Sequence, residues 1–151
     1  MFLIFIVSSC TDDVKFNNPA FQTLKNNVFW RAVDYKASTA TNGIVMIEGA
    51  LGYEKVILRV SYVAERTYAL GIDDVTTASY LNTFPGELAQ FNTGTNKGNG
   101  QIVITHIDGN TISGTFKFTA INKNGSDIEN PKITFTEGVF YKIPITQTVE
   151  F

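Results

Sequence analysis

From Ala20 onward the chain alternates in a two-residue rhythm. Short runs rich in Val, Ile, Thr, Phe and Tyr are cut by Gly, Asn, Asp and Pro clusters. No eleven-residue window carries a helical stripe. The runs fall at 20–25, 28–36, 44–51, 55–62, 67–71, 78–84, 87–92, 100–107, 111–121 and 132–145. Strands of this length and spacing predict an all-β fold: a single antiparallel β-sandwich or barrel of about eight to ten strands. The 151 residues suffice for one domain with a sizeable core.

Three runs fix which side chains face inward. In 55–62, Val56, Leu58, Val60 and Tyr62 share one face, opposite Arg59 and Ser61. In 111–121, Ile112, Gly114, Phe116, Phe118 and Ala120 face the core, and Ser113, Thr115, Lys117 and Thr119 face out. Gly114 leaves room for a large neighbour or a kink. In 132–145, Ile133 and Phe135 fall in phase with Glu137, a poor core residue. A bulge at Glu137-Gly138 would reset the phase and turn Phe140 inward.

The Asp108-Gly109 pair is the strongest hairpin signal. A two-residue loop sets Val103, Thr105 and Ile107 beside Ile112, Gly114 and Phe116, and points His106, Ile102 and Ile104 outward. A three-residue loop with a bulge reverses these faces. The residues leave both open.

The amino terminus reads as an address. Met1 to Val7 are all apolar, followed by Ser8-Ser9-Cys10 and then Thr11-Asp12-Asp13. Val7-Ser8-Ser9-Cys10 resembles a bacterial lipobox: an aliphatic residue, two small residues and a cysteine to be lipidated. The expected organisation is a signal peptide at 1–9, lipidated Cys10 with a tether at 10–19, and the β-domain at 20–151. Lys and Arg are missing ahead of Cys10 and the apolar stretch is short. A true start upstream of Met1 is therefore expected. Two or three acyl chains would hold the protein on a membrane. Asp12 and Asp13 resemble surface-export signals of some Gram-negative lipoproteins; a plain solvated tether explains them equally. The expected location is the cell envelope, as an outer-membrane lipoprotein on its periplasmic or surface face.

The segment 100–108 (GQIVITHID), Ile112 to Ala120 (ISGTFKFTA) and Ile133 to Ile145 (ITFTEGVFYKIPI) together resemble a family of small Gram-negative lipoproteins of unknown function. Its members share an ISGTFxFxA strand and a closing ITxGxFxxxPI strand. Trp30-x-Ala32 and Thr67-Tyr68-x-Leu70-Gly71 match more loosely. Glu137 stands where that family often has Asn or another small polar residue. The resemblance implies an all-β lipoprotein and brings no activity with it.

Composition narrows the chemistry. The net charge of −2, with twelve scattered Lys and Arg, offers no basic face for nucleic acid. No apolar run reaches the ~20 residues of a membrane-spanning helix. One Cys excludes an intramolecular disulfide, and one His excludes a His-cluster metal site. His106 is the only imidazole available as a general base, and no G-x-S-x-G surrounds a serine. Glu48, Glu54, Glu65 and Glu87 are carboxylates without a telling context. Asp73-Asp74 reads as a turn, because the D-x-D-x-D-G spacing is absent. The stretch 92–100 (NTGTNKGNG) reads as a flexible loop, and Trp30 as a core residue rather than a sugar platform.

The residues therefore predict a protein without catalytic centre, metal or cofactor. Its expected partners are the membrane, through the lipid, and a protein or glycan. The alternative is a carrier holding a small ligand or glycan in a barrel mouth.

Overall fold

The computed structural model describes residues 18–147. The expected signal peptide, Cys10 and most of the tether lie outside the described residues. Eleven strands follow: β1 (Ala20–Lys25), β2 (Val28–Arg31), β3 (Asp34–Thr39), β4 (Val45–Leu51), β5 (Glu54–Val60), β6 (Thr67–Leu70), β7 (Thr77–Asn82), β8 (Ala89–Asn92), β9 (Asn99–Asp108), β10 (Thr111–Asn122) and β11 (Lys132–Gln147). The chain is all-β, as its alternation requires.

One hydrogen-bonded sheet connects all of them, in the order β2-β1-β11-β3-β4-β5-β7-β8-β10-β9-β6, with a further β10–β11 pairing. That extra pairing closes a ring through β3, β4, β5, β7, β8, β10 and β11. The β1–β2 and β9–β6 pairs extend from it. Two long strands make the closure possible. Along one edge of β11, β1 pairs with residues 135–141 and β3 with 145–147. Along one edge of β10, β9 pairs with residues 111–119 and β8 with 121–122. The β11–β3 pairing is parallel, so the sheet is mixed where a purely antiparallel one was expected.

The run at 28–36 divides where the chain passes from one layer to the other. Ala32 N–H still donates to Phe21 O on β1 at 2.9 Å, whereas Val33 N–H donates to Ala50 O on β4 at 2.8 Å. One continuous β pattern thus serves two neighbours, the usual way a strand turns a corner between packed layers.

The core is aromatic. Phe21, Phe135 and Phe140 are fully buried. Phe116 packs on Phe21, Phe118 and Phe140, and Phe118 stacks on Phe135 at 4.7 Å. The Phe21 ring from β1 lies over Gly49 of β4, where a Cβ would have no room. This contact presses the β1 layer onto the β4 layer.

The inward faces agree closely with the expected ones. Val56, Leu58 and Val60 are buried, as are Ile112, Phe116, Phe118 and Ala120. The Phe140 ring occupies the space left by Gly114. Glu137 takes φ +51°, the β10–β11 register shifts between Phe116 and Phe118, and Phe140 points inward. Two side chains differ. Tyr62, expected in the core, lies beyond the end of β5 and is half exposed. Ser113, expected outside, is buried. The register shifts on both flanks of Ser113-Gly114, and the Ser113 Oγ accepts from Lys142 N–H at 2.9 Å.

The β9–β10 hairpin combines features of both expected versions. Its loop has two residues, Gly109-Asn110, and Ile107 pairs with Ile112. A shift then leaves Thr105 unpaired, so Gly114 faces Ile104. His106 therefore points outward while Ile102 and Ile104 are buried, a combination that neither unbulged register allows.

Candidate functional site

Two hairpin turns meet at one end of the domain. Gly52-Tyr53 joins β4 to β5, with Leu51 paired to Glu54. Gly52 has φ +58°, and glycine first in a two-residue loop is the signature of a type II′ turn. Phe84-Pro85-Gly86-Glu87 lies between β7 and β8. Proline followed by glycine at φ +87°, with Glu87 N–H donating to Phe84 O at 2.9 Å, is the type II pattern. The turns are tied together, because Thr83 N–H and its hydroxyl both donate to Tyr53 O, at 3.0 and 3.2 Å. Phe84 N–H donates to Asn82 Oδ1 at 2.9 Å.

The result is an exposed aromatic pair. The rings of Tyr53 and Phe84 meet edge to face, with centroids 5.2 Å apart. Tyr53 is 56% exposed and Phe84 44%. They rim a cleft of about 350 Å³ that is also lined by Lys25, Glu54, Tyr80, Asn82 and Glu87. A second hollow of about 490 Å³ shares Tyr80, Asn82 and Glu87 and reaches Asn130 and Lys132.

The cleft floor is a polar network. Glu54 Oε1 accepts from Tyr80 Oη at 2.6 Å and from Lys25 Nζ. Its Oε2 accepts from the Trp30 indole N–H at 3.3 Å. The Lys25 ammonium also sits 5.3 Å from the centre of the Tyr80 ring. Partial burial pushes the Glu54 pKa up. Donation from Lys25 and Tyr80, the Lys25 charge and the indole outweigh it, so Glu54 titrates below the ordinary range. Burial raises the Tyr80 phenol first, and the bond to Glu54 and the charges of Glu54 and Glu87 raise it further, well above the usual tyrosine value. At neutral pH the floor is an ionised carboxylate held by an ammonium, a phenol and an indole. Trp30 is 3% exposed, in keeping with the core position expected of it.

The other carboxylates lie elsewhere. Glu48 sits between Lys36 and Lys55 at 3.3 and 3.9 Å. Glu65 accepts from Ile107 N–H at 3.1 Å and lies 3.7 Å from exposed His106 Nδ1. Asp73 accepts from Val75 and Thr76 N–H, as a turn residue does. Asp74 accepts from Thr95 N–H at 2.9 Å. The 92–100 stretch, expected as a flexible loop, is a hydrogen-bonded turn. Thr93 N–H reaches Ala78 O, Asn96 N–H reaches Gly71 O, and Gly94 and Lys97 bridge each other. It packs near the start of β7, away from the cleft at that strand's end. Among the described residues, no group of three or more His, Cys, Asp or Glu is placed to hold a metal ion.

Sequence reasoning met Glu54 and Glu87 only as carboxylates without a telling context and did not single out Lys25, because the three belong to different hairpins. The usable signal was the pair of glycine turns, each beside an aromatic and a glutamate.

A family model described as a domain of unknown function, DUF6252, matches residues 17–144. No curated protein and no solved structure matches the chain.

Proposed function

This chain belongs to the DUF6252 family, and from that premise we propose that it is a membrane-anchored binding protein of the bacterial cell envelope. Its β-domain is a non-enzymatic recognition module, held by lipid on Cys10 at the outer membrane. The observation that carries the binding role is the end cleft. Its partly buried charges, Lys25 and Glu54, satisfy each other, while the Tyr53–Phe84 pair stays exposed on braced turns. A carboxylate held ionised by three donors is a poor proton shuttle near neutral pH. An exposed, rigid aromatic pair is suited to contact. The filled phenylalanine core favours recognition at this end over a ligand carried inside the ring. The anchor rests on the Val7-Ser8-Ser9-Cys10 motif.

The test is metabolic labelling with a fatty acid in a Gram-negative host. The wild-type protein takes up label and sediments with membranes. Cys10→Ala stays folded, takes up none and appears in the soluble fraction. A wild-type protein without label overturns the anchor.

A further inference from the structure

We infer that the end cleft is a binding site for a neutral glycan, an inference that rests on the reading of the domain as a recognition module. The argument is one of chemistry left over. An anionic ligand needs an available cation; Lys25 is bound to Glu54 and covers the Tyr80 ring, and Lys132, in the adjoining hollow, shares that hollow with Asp127. Glu87 on the rim and Asp127 in the adjoining hollow repel it further. A cationic ligand meets the Lys25 ammonium on the floor, where Glu54 already accepts three hydrogen bonds and the Tyr80 face is taken; the carboxylate left to it, Glu87, is exposed to solvent, where an ion pair is worth little. A wholly apolar ligand would strand the Asn82 amide and Glu87 against hydrocarbon.

A sugar fits what remains. The C–H face of a pyranose packs on an exposed ring, and Tyr53 and Phe84 offer two, inclined at 73° with centroids 5.2 Å apart. Hydroxyls pair with a side-chain amide and a carboxylate, the groups that Asn82, Glu87 and Asn130 supply. The two hollows, about 350 and 490 Å³, share Tyr80, Asn82 and Glu87 in their linings and so lie side by side, which suits successive rings of one chain. The platform is built before the ligand arrives. The Thr83 bonds to Tyr53 O and the Asn82 bond to Phe84 N–H fix both turns, so little ordering is left to do on binding.

The experiment is titration calorimetry of the full chain. The neutral probes are maltohexaose, cellohexaose, mannohexaose and hexa-N-acetylchitohexaose; polysialic acid is the anionic one. Binding of at least one neutral hexaose is expected, with none of the polyanion. Tyr53→Ala and Phe84→Ala each weaken it tenfold or more with an unchanged melting temperature. Tyr62→Ala, an exposed tyrosine packed on Tyr68, leaves it unaltered. If no neutral hexaose binds, or if both cleft variants bind like wild type, the glycan inference falls. A domain that binds no sugar but cross-links to an envelope protein through the position of Tyr53 also overturns it, and leaves the recognition-module reading standing.

Discussion

The Tyr80 hydroxyl lies 2.6 Å from Glu54 Oε1, across the β5–β7 ladder, and donates to a carboxylate that Lys25 also holds. The bond joins the buried aromatic core to the charged floor of the cleft. It makes the cleft part of the fold's stability rather than an ornament on it.

Glu54→Gln should therefore cost about 1–2 kcal/mol, as a charge-assisted hydrogen bond and a partly screened ion pair are lost. The pH dependence has a definite sign. Glu54 has a folded pKa below the ordinary glutamate value. Its contribution is complete above that value and is lost as pH falls through the lower, folded pKa. Urea melts from pH 7 to pH 3 should show a smaller acid loss in Glu54→Gln than in wild type. Parallel curves would mean that Glu54 is not the linked group.

Phe116→Ala should cost about 3–5 kcal/mol, since the ring is buried among Phe21, Phe118 and Phe140. Lys117→Ala, on the exposed side of β10, should stay under about 0.5 kcal/mol. Equal shifts in denaturation midpoint would refute the assigned faces of that strand.

Two glycines should answer a single methyl differently. Gly114→Ala drives a Cβ into the Phe140 ring and the Val103 carbonyl, and overpacking of this kind costs about 1–3 kcal/mol. Gly125→Ala meets open space at an ordinary backbone angle and should change stability by about 0.5 kcal/mol or less. Thermal melts of the pair are sufficient, and a neutral Gly114→Ala would contradict the close approach of Phe140.

Much of the fold was legible because alternation is local. Val56, Leu58 and Val60 announce a buried face without reference to anything distant. Glu137 betrays the bulge because a carboxylate falls in phase with Ile133 and Phe135. The break at Ala32-Val33 left no such mark. It depends on whether Phe21 O or Ala50 O accepts the next hydrogen bond, and that is a property of neighbours far along the chain. The bulge at Thr105 is equally silent, since Ile102, Ile104 and Ile107 are apolar in either phase. The cleft was the least legible part. Lys25, Glu54, Tyr80 and Glu87 each look ordinary in their own segment, and only the order of strands brings them together.

The place of β11 has a consequence for the order in which the chain can fold. This strand borders β10, β1 and β3, so it seals the ring and also holds the opening hairpin. Its partner β1 begins more than a hundred positions earlier. A nascent chain that stops short of Lys132 possesses most of its phenylalanines but can pair β1 only with its hairpin neighbour β2. Folding dominated by such distant pairings is slow, and the interval during which the chain stays open lasts until its late residues have emerged. The outer-membrane location proposed above would gain from that delay, because a chain threaded through a translocation pore has to stay open until it has passed.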